Sequence, residues 1–226
     1  MIRRRTLTAI GAAGFALSAC GASVQAETVI ATPEAAIKAS ETPGAKTALF
    51  AGGCFWGMEA VFSHVKGVKS VVSGFEGGSR KDARYERVSE GDTGHAESVR
   101  ITYDPARVRY DQLLQIFFSV ASDPTQLNQQ GPDTGTQYRN AIVPLSPEQR
   151  RVTAGYLAQL KALDLWKRPI VTAVEPDRGF TPAEDYHQDF ALKNPDHGYI
   201  KRWDLPKVAA LKRLFPGLYQ SAFTPG

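Results

Sequence analysis

Cysteine is scarce in this chain of 226 residues, which carries one at position 20 and one at position 54. A surplus of one charge sign is also missing. Arg3, Arg4 and Arg5 are the only charged residues among positions 1–26, and the rest of the chain holds 24 basic and 23 acidic residues. The balanced charge argues against a nucleic-acid partner, and so few thiols argue against a disulfide framework or a cysteine-based metal site.

Residues 1–26 have the pattern of an export signal, with a basic start, a short apolar run and then small residues. The apolar run is far shorter than the roughly 20 residues that a membrane-spanning helix needs. Two processing sites compete: a lipobox at positions 17–20 (LSAC) and a small-x-small site that ends at Ala26. We therefore predict a protein of the bacterial envelope or periplasm, with Cys20 either removed or lipidated as a membrane tether.

The composition of the chain, 42% hydrophobic and 22% charged, is that of a globular protein able to bury a full core. Residues 27–46 are rich in Ala, Thr, Glu and Pro and show no sustained apolar period, which predicts a linker. We place one folded domain at residues 47–219 and a tail at 220–226. We expect a monomer.

The order of apolar patterns within this domain predicts a β-α-β-β-α-β core. An apolar run that ends at Gly52 predicts a buried strand, and helical spacing follows from Cys54. The other elements of this core are strands at 69–75, 97–103 and 139–144 and a helix at 110–120. This order is typical of a ferredoxin-like α+β fold.

Extra elements follow the core. Ser146 precedes Pro147 in a helix N-cap pattern, and this helix is predicted to continue to Leu163. Further along, we predict one strand and two helices, at 169–174, 182–192 and 204–215. Two loops, 76–96 and 122–137, are longer than a compact fold usually needs, and loops of that length are commonly functional.

Cys54 lies in the stretch AGGCFWGM, at the predicted strand-to-helix turn. The free N–H groups of a first helical turn favour a thiolate, so this position predicts a lowered thiol pKa and a nucleophile. Alternatively, Cys54 is a small buried hydrophobe, as free cysteines often are. Phe55 and Trp56 either form an apolar wall for a substrate beside the thiol or belong to the core.

Glu97 begins a strand in which it shares one face with Val99, Ile101 and Tyr103. Because that face is the apolar one, the pattern predicts a carboxyl that points toward the core. Burial raises the pKa of such a group and leaves it protonated near neutral pH, as a proton donor requires. The alternative is that Glu97 reaches water at the end of the strand.

The two long loops carry other polar candidates: Tyr85 in the first, and Asp133 and Tyr138 in or beside the second. Each alone is more often a loop anchor than a catalytic group. The four histidines show no metal-ligand spacing with one another or with Cys54, and we interpret them as structural or surface residues. They are His64, His95, His187 and His197.

Five segments together resemble peptide methionine sulfoxide reductase of the A type. They are GGCFWG, SEGDTGHAESVRITYDP, SDPTQ, DTGTQYR and AEDYHQDF, in that order. The resemblance implies reduction of the S epimer of methionine sulfoxide, free or in oxidised proteins, and hence protein repair under oxidative stress. It implies no metal and no organic cofactor.

By position in these segments, the resemblance makes Cys54 the nucleophile and Glu97 the acid. It makes Phe55 and Trp56 the pocket for the methyl group of the substrate. It makes Tyr85 and Tyr138 the residues that bind the sulfoxide oxygen. It makes Asp133 a supporting carboxylate in the same site. Oxygen then ends on the cysteine as a sulfenic acid.

The chain departs from the family pattern in one respect that affects turnover. Many members carry resolving cysteines near the C-terminus, but this sequence has no cysteine after Cys54. We therefore expect direct regeneration by an external thiol: glutathione, a glutaredoxin-like protein or a thioredoxin-like partner. Smaller departures are Phe75, where the family often has Tyr, and Ser122, where His often precedes Asp-Pro.

Two other functions remain open from the sequence. One is a non-catalytic tethered module in which Cys54 is inert. The other is a different thiol enzyme, such as a peroxidase, which the missing resolving cysteine would suit. The aromatic pair and the proton donors suit a sulfoxide substrate better.

Overall fold

The computed structural model describes residues 27–226. The expected export signal, both of its processing sites and Cys20 lie outside the described residues. Among the helices of residues 27–226, none combines the length and apolar character needed to cross a bilayer.

Short strands and helices alternate along the chain. The strands are β1 (Lys46–Gly52), β2 (Val68–Glu76), β3 (Ala96–Tyr103), β4 (Gln129–Gln130), β5 (Asp133–Thr134), β6 (Asn140–Val143), β7 (Ala173–Val174) and β8 (Thr181–Pro182). The α-helices are α1 (Phe55–Ser63), α2 (Tyr85–Val88), α3 (Tyr110–Ile116), α4 (Pro147–Leu163), α5 (Phe190–Lys193) and α6 (Leu205–Leu214). Two π-helical turns, Phe117–Ala121 and Ile200–Asp204, continue α3 and precede α6.

Six strands form one sheet in the order β7-β6-β1-β3-β2-β8, and β4 and β5 form a separate ladder. Neighbouring strands are antiparallel except β6 and β7, which are parallel. Strand β3 is inserted between β1 and β2, which α1 connects, and this arrangement is a split βαβ unit. The predicted α+β fold with a ferredoxin-like core is therefore confirmed.

A cluster of buried aromatic rings fixes β1 and α1 relative to each other. The ring of Phe50 on β1 lies 5.6 Å from that of Phe62 on α1, 5.9 Å from Tyr110 and 5.3 Å from Phe117, measured between centroids. All four residues are fully buried. Since burial of one such side chain contributes roughly 1.5–3 kcal/mol, this cluster holds the turn between β1 and α1, where Cys54 lies, in a rigid frame.

The predicted N-cap of α4 is confirmed. The hydroxyl of Ser146 accepts a hydrogen bond of 3.1 Å from the backbone N–H of Gln149, and Pro147 occupies the first helical position. The helix ends after Leu163 as expected, because Asp164 adopts a left-handed conformation with φ 47°.

Two predicted C-terminal elements differ in the structure. The strand expected at 169–174 is limited to β7. The helix expected at 182–192 is divided into a 3-10 turn, Asp185–His187, and α5, because Asp189 adopts φ 55°. The side chain of Gln188 accepts from the N–H of Ser73 and donates to its carbonyl, at 2.9 and 3.0 Å. This tertiary contact with β2 competes successfully with the local helical pattern.

The structure corrects the interpretation of residues 27–46 as a linker. Residues 27–45, here called the N-terminal strap, contain neither helix nor strand and lead directly into β1. Thr32, Ala35 and Ala39 of this strap are nevertheless buried against the domain. The expected tail is also attached, since the N–H of Gln220 donates to the carbonyl of His64 at 2.8 Å. An apolar period was missing because the strap is held by backbone groups and short side chains.

Candidate active site

Cys54 is the N-cap residue of α1 and directly follows the end of β1, as predicted. Both preceding glycines are required by the local packing. Gly53 has φ 92°, and a Cβ atom there would lie 2.5 Å from the Cβ of Gln130. A Cβ on Gly52 would lie 2.9 Å from the side chain of Ser122. The close packing of two loop residues against this turn fixes the backbone of Cys54, a residue that is partly exposed.

Glu97 is 2% exposed, and its carboxyl Oε2 accepts a hydrogen bond of 2.9 Å from the backbone N–H of Phe55. The Glu97 carboxyl is therefore bonded to the residue that directly follows Cys54. Burial raises the pKa of Glu97 to about 8, Asp133 adds to this shift and the N–H of Phe55 opposes it. The predicted burial of the Glu97 carboxyl is confirmed, and the alternative that Glu97 reaches water is wrong.

The expected lowering of the Cys54 pKa is wrong for the free protein. Burial raises the pKa of the thiol well above its usual range, and the carboxyls of Glu97, Asp204 and Asp133 raise it further. A hydrogen bond from the backbone N–H of Trp56 acts in the opposite direction without outweighing them. The sequence indicated the helix N-terminus, but the three carboxyls come from elements distant in the chain.

Tyr85 and Tyr138 bring two phenol groups to the same place. Burial raises the pKa of each hydroxyl, and the charge of Glu97 is the next largest cause for both. Cys54 raises the pKa of each phenol as well. Both phenols are therefore neutral hydrogen-bond donors within electrostatic range of the thiol and the acid, and the structure brings together these four predicted residues.

Asp133 lies at the start of β5, and its Oδ2 accepts a hydrogen bond from the hydroxyl of Tyr199. Burial raises the pKa of this carboxyl, while the Tyr199 hydrogen bond lowers it. Asp133 also contributes to the raised pKa values of Cys54 and Glu97. The predicted supporting carboxylate is thus within the electrostatic range of both groups.

The two aromatic residues after Cys54 have different surroundings. Phe55 is fully buried, with its ring 5.8 Å from that of Phe75. Trp56 is only partly buried. Its indole stacks on Phe190 with 3.7 Å between centroids and an angle of 7°, and it meets Tyr199 edge-on at 6.0 Å. Phe55 therefore joins the core and Trp56 forms an aromatic wall of the site.

Comparison with known proteins agrees with this geometry. The family model described as peptide methionine sulfoxide reductase matches residues 46–215. Among relatives, peptide methionine sulfoxide reductase MsrA 2 of Mesorhizobium japonicum is 58% identical over 177 residues, which are 78% of this chain and 91% of that protein. MsrA of Deinococcus radiodurans is 47% identical, over 76% of this chain and 84% of its own.

The chain belongs to the A-type peptide methionine sulfoxide reductase family. It is therefore an oxidoreductase. Two solved structures support the fold of this reductase. Mxr1 from Saccharomyces cerevisiae in reduced form has a TM-score of 0.61 at 30% identity and covers 77% of this chain and 94% of its own. Methionine sulfoxide reductase A of Corynebacterium diphtheriae has a TM-score of 0.57 at 36% identity, over 68% and 77% respectively.

Sequence reasoning missed several residues of this reductase site. His187, interpreted as structural or surface, is buried, and its Nδ1 accepts a hydrogen bond of 3.1 Å from the indole N–H of Trp56. Its ring centroid lies 4.2 Å from that of Tyr85. The segment AEDYHQDF contained both His187 and Phe190 and was a usable signal. Tyr199 and Asp204 had none, because neither lies in the five segments that carry the family resemblance.

Proposed function

We propose that this reductase converts the S epimer of methionine sulfoxide, free or in peptides and proteins, to methionine, with Cys54 as the nucleophile. The observation that carries this proposal is the hydrogen bond between the Glu97 carboxyl and the N–H of Phe55, which fixes a protonated acid beside the thiol. Repair of oxidised proteins follows as the physiological role.

The sulfoxide group is polarised, with positive sulfur and negative oxygen. The sulfur of Cys54 attacks the substrate sulfur, and Glu97 donates a proton to the oxygen as the S–O bond breaks. Tyr85 and Tyr138 donate hydrogen bonds to that oxygen and stabilise its growing charge. The attack forms an S–S bond to Cys54. The hydroxyl then moves from the substrate sulfur to the Cys54 sulfur as this S–S bond breaks, and its electron pair returns to the substrate sulfur, which leaves as a thioether. The thiol proton reprotonates Glu97, so the enzyme is left with Cys54 sulfenic acid.

The raised pKa of Cys54 is compatible with this step. Glu97 holds its proton below about pH 8, so its negative charge is absent at neutral pH. A sulfoxide with its positive sulfur next to the thiol further favours the thiolate during attack. The nucleophile is therefore activated in the complex with substrate rather than in the free enzyme.

Stereochemical selection follows from the placement of two unlike surfaces around one reacting atom. The aromatic wall of Trp56 and Phe190 suits the methyl group, whereas Glu97 and the phenols suit the oxygen. When the methyl group lies against the aromatic wall and the oxygen lies at the proton donors, only one of the two configurations at the sulfoxide sulfur presents that sulfur to Cys54. The S configuration is the one that the family resemblance implies.

Regeneration requires a thiol from outside. Cys54 is the one cysteine within residues 27–226, and the other cysteine of the sequence is in the expected export signal. Two external thiols reduce the sulfenic acid, releasing water and forming a disulfide between them. Glutathione, a glutaredoxin-like protein and a thioredoxin-like protein of the envelope are the candidate donors.

An envelope location is part of this proposal, with either a lipidated Cys20 or cleavage after Ala26. Mass spectrometry of the N-terminus of the exported protein distinguishes the two. A diacylglyceryl-cysteine start supports the tether, and a start at Glu27 contradicts it.

The test of the proposed reaction uses dabsylated methionine sulfoxide, as separate S and R epimers, with dithiothreitol as reductant. We expect turnover of the S epimer alone. Conversion of neither epimer would support an inert module. Rapid turnover of hydrogen peroxide with no sulfoxide reduction would support the thiol peroxidase alternative.

A further inference from the structure

The N-terminal strap lies outside the family match at residues 46–215, yet its first residues reach the active site. It runs across the domain from Ala39, whose N–H donates to Asp111 at 2.9 Å, to Thr32, whose hydroxyl bonds that of Ser119. It ends at Glu27, whose Oε1 accepts from the Nζ of Lys207 on α6 at 2.8 Å.

Lys207 is an unusual residue because it is a buried cation. Its side chain is 10% exposed and that of Glu27 is 14% exposed. The ammonium makes its second hydrogen bond, of 3.2 Å, to the carbonyl of Ala121, where the π-helical turn after α3 ends. A lysine so placed needs a partner charge, and the strap supplies it over a separation of 180 residues.

Asp204 connects this ion pair to the reactive thiol. It precedes Lys207 by one helical turn and is 1% exposed, and its carboxyl packs against Gly57 in the first turn of α1. A Cβ atom on Gly57 would lie 2.4 Å from Asp204 Oδ1. The other oxygen, Oδ2, has no hydrogen-bond partner among the described residues. The buried carboxyl of Asp204, which packs on the first turn of α1, is thus one helical turn from the buried ammonium of Lys207.

The strap also contacts the loop that carries Asp133. The N–H of Thr28 donates to Asp123 Oδ2 at 3.0 Å. The side-chain amide of Gln130 holds the main chain of Asp123. Its oxygen accepts from the Asp123 N–H at 3.1 Å, and its nitrogen donates to the Asp123 carbonyl at 2.8 Å. Gln130 is the side chain that packs on Gly53, next to Cys54. Two adjacent strap residues therefore support the thiol from two sides.

We propose that the N-terminal strap is a working part of the active site, in which Glu27 holds the ammonium of Lys207 beside Asp204 and so sets the charge balance around Cys54. The proposal deepens the proposed function, since it takes Cys54 as the reactive thiol. The titratable groups that face this thiol are Glu97 from β3, Asp133 from β5, Asp204 and Lys207 from the α6 region, and Tyr85, Tyr138 and Tyr199.

Two variants with opposite consequences test this assignment. In Glu27→Gln, the positive charge of Lys207 is no longer offset, so the Cys54 thiolate becomes more favourable. In Lys207→Met, the carboxyls around the thiol lose their cation, so the thiolate becomes less favourable. The readout is the rate of iodoacetamide alkylation between pH 7 and 10 on the full chain, quantified by mass spectrometry on the Cys54 peptide so that Cys20 does not contribute.

We expect alkylation at pH 8 to become about threefold to tenfold faster in Glu27→Gln and slower by a similar factor in Lys207→Met, as a charge change at partly buried sites implies. The double variant should return toward the wild-type rate. The matched control is Glu34→Gln, which removes an exposed carboxylate of the same strap that pairs with Lys38.

An equal change in the alkylation rate of Cys54 in Glu27→Gln and Glu34→Gln would overturn the proposal. So would a change of that rate in the same direction in Glu27→Gln and Lys207→Met. If Lys207→Met does not fold, the nearly isosteric Glu27→Gln decides alone, since only a faster reaction supports the assignment. Alkylation needs no sulfoxide, so this result stands apart from the proposed reaction, which is measured separately with methionine sulfoxide.

Discussion

The active site has two halves that are built in different ways. Cys54 and Glu97 lie at the turn into α1 and on β3, within regular elements of the sheet core. Asp133, His187 and Tyr199 lie on short or irregular segments that are held by side-chain hydrogen bonds to distant residues. In the proposed reaction, the first half carries the chemical step and the second half positions the substrate and adjusts charge. Substitutions in each half should therefore have different kinetic signatures.

The largest effect is expected for Cys54→Ser, in the first half. A hydroxyl is a much weaker nucleophile than a thiol toward sulfur, so turnover of methionine sulfoxide with dithiothreitol should fall to background. The assay follows release of dabsyl-methionine. Unfolding curves that match wild type would show that the loss is chemical, and retained turnover would exclude Cys54 as the nucleophile.

The next largest effect is expected for Glu97→Gln, for which the rate should fall on the order of 10²-fold or more, as for loss of a general acid. Because the pKa of Glu97 is raised to about 8, its proton is present below that pH and is lost above it. The acid-dependent rate of the wild type should therefore decline as pH rises through about 8. A pH–rate profile that is unchanged in the variant would contradict the role of Glu97.

In the second half, Tyr199→Phe should have a smaller effect that appears mainly in KM. The change removes the hydroxyl that donates to Asp133 but keeps the ring against Trp56. Loss of a hydrogen bond to a charged group costs about 1.5–3 kcal/mol, so kcat/KM should fall about tenfold or more. Tyr186→Phe, at an exposed ring, is the matched control. A fall in kcat alone would place Tyr199 with the first half.

The smallest effect on activity is expected for a buried acid on α1 between the halves, whose titration should affect stability instead. Glu59 is fully buried, and burial raises its pKa from 4.5 to about 8. The folded state then holds a proton that the unfolded state releases, so this group's stabilising effect is present below about pH 4.5 and is lost as pH rises to about 8.

Glu59→Gln removes that titration. We expect the urea midpoint of the variant to decline less between pH 5 and 8 than that of the wild type. Glu34→Gln, at an exposed position, should follow the wild type. Parallel curves for Glu59→Gln and wild type would show that Glu59 does not hold a proton in the folded state.

The contrast between the halves also explains what the sequence could predict. Alternation placed Glu97 on the apolar face of its strand, and the N-cap of α4 followed from Ser146 and Pro147. Both inferences depend on neighbours within a few residues. The strap and the divided segment at 182–192 depend instead on partners roughly 80 to 180 residues away, such as Ser119, Ser73 and Lys207. No local pattern encodes those contacts.

The thiol pKa shows the same limit within the site itself. The sequence correctly placed Cys54 at a helix N-terminus, where the local effect favours the thiolate. In the structure, burial of the thiol is the largest cause that raises its pKa, and the carboxyls of Glu97, Asp204 and Asp133, from elements far along the chain, raise it further. A local electrostatic argument is therefore insufficient wherever several buried carboxyls converge.

The most direct measurement of the central claim uses methionine sulfoxide labelled with ¹⁸O and a stoichiometric amount of reduced protein without any other thiol. We predict one methionine released per chain and a mass gain of one ¹⁸O on the Cys54 peptide when the reaction is quenched before the sulfenic acid exchanges with water. A parallel sample treated with dimedone should carry the thioether adduct at Cys54, with the label lost as water. Methionine release without oxidation of Cys54, or label recovered on any other residue, would contradict the account.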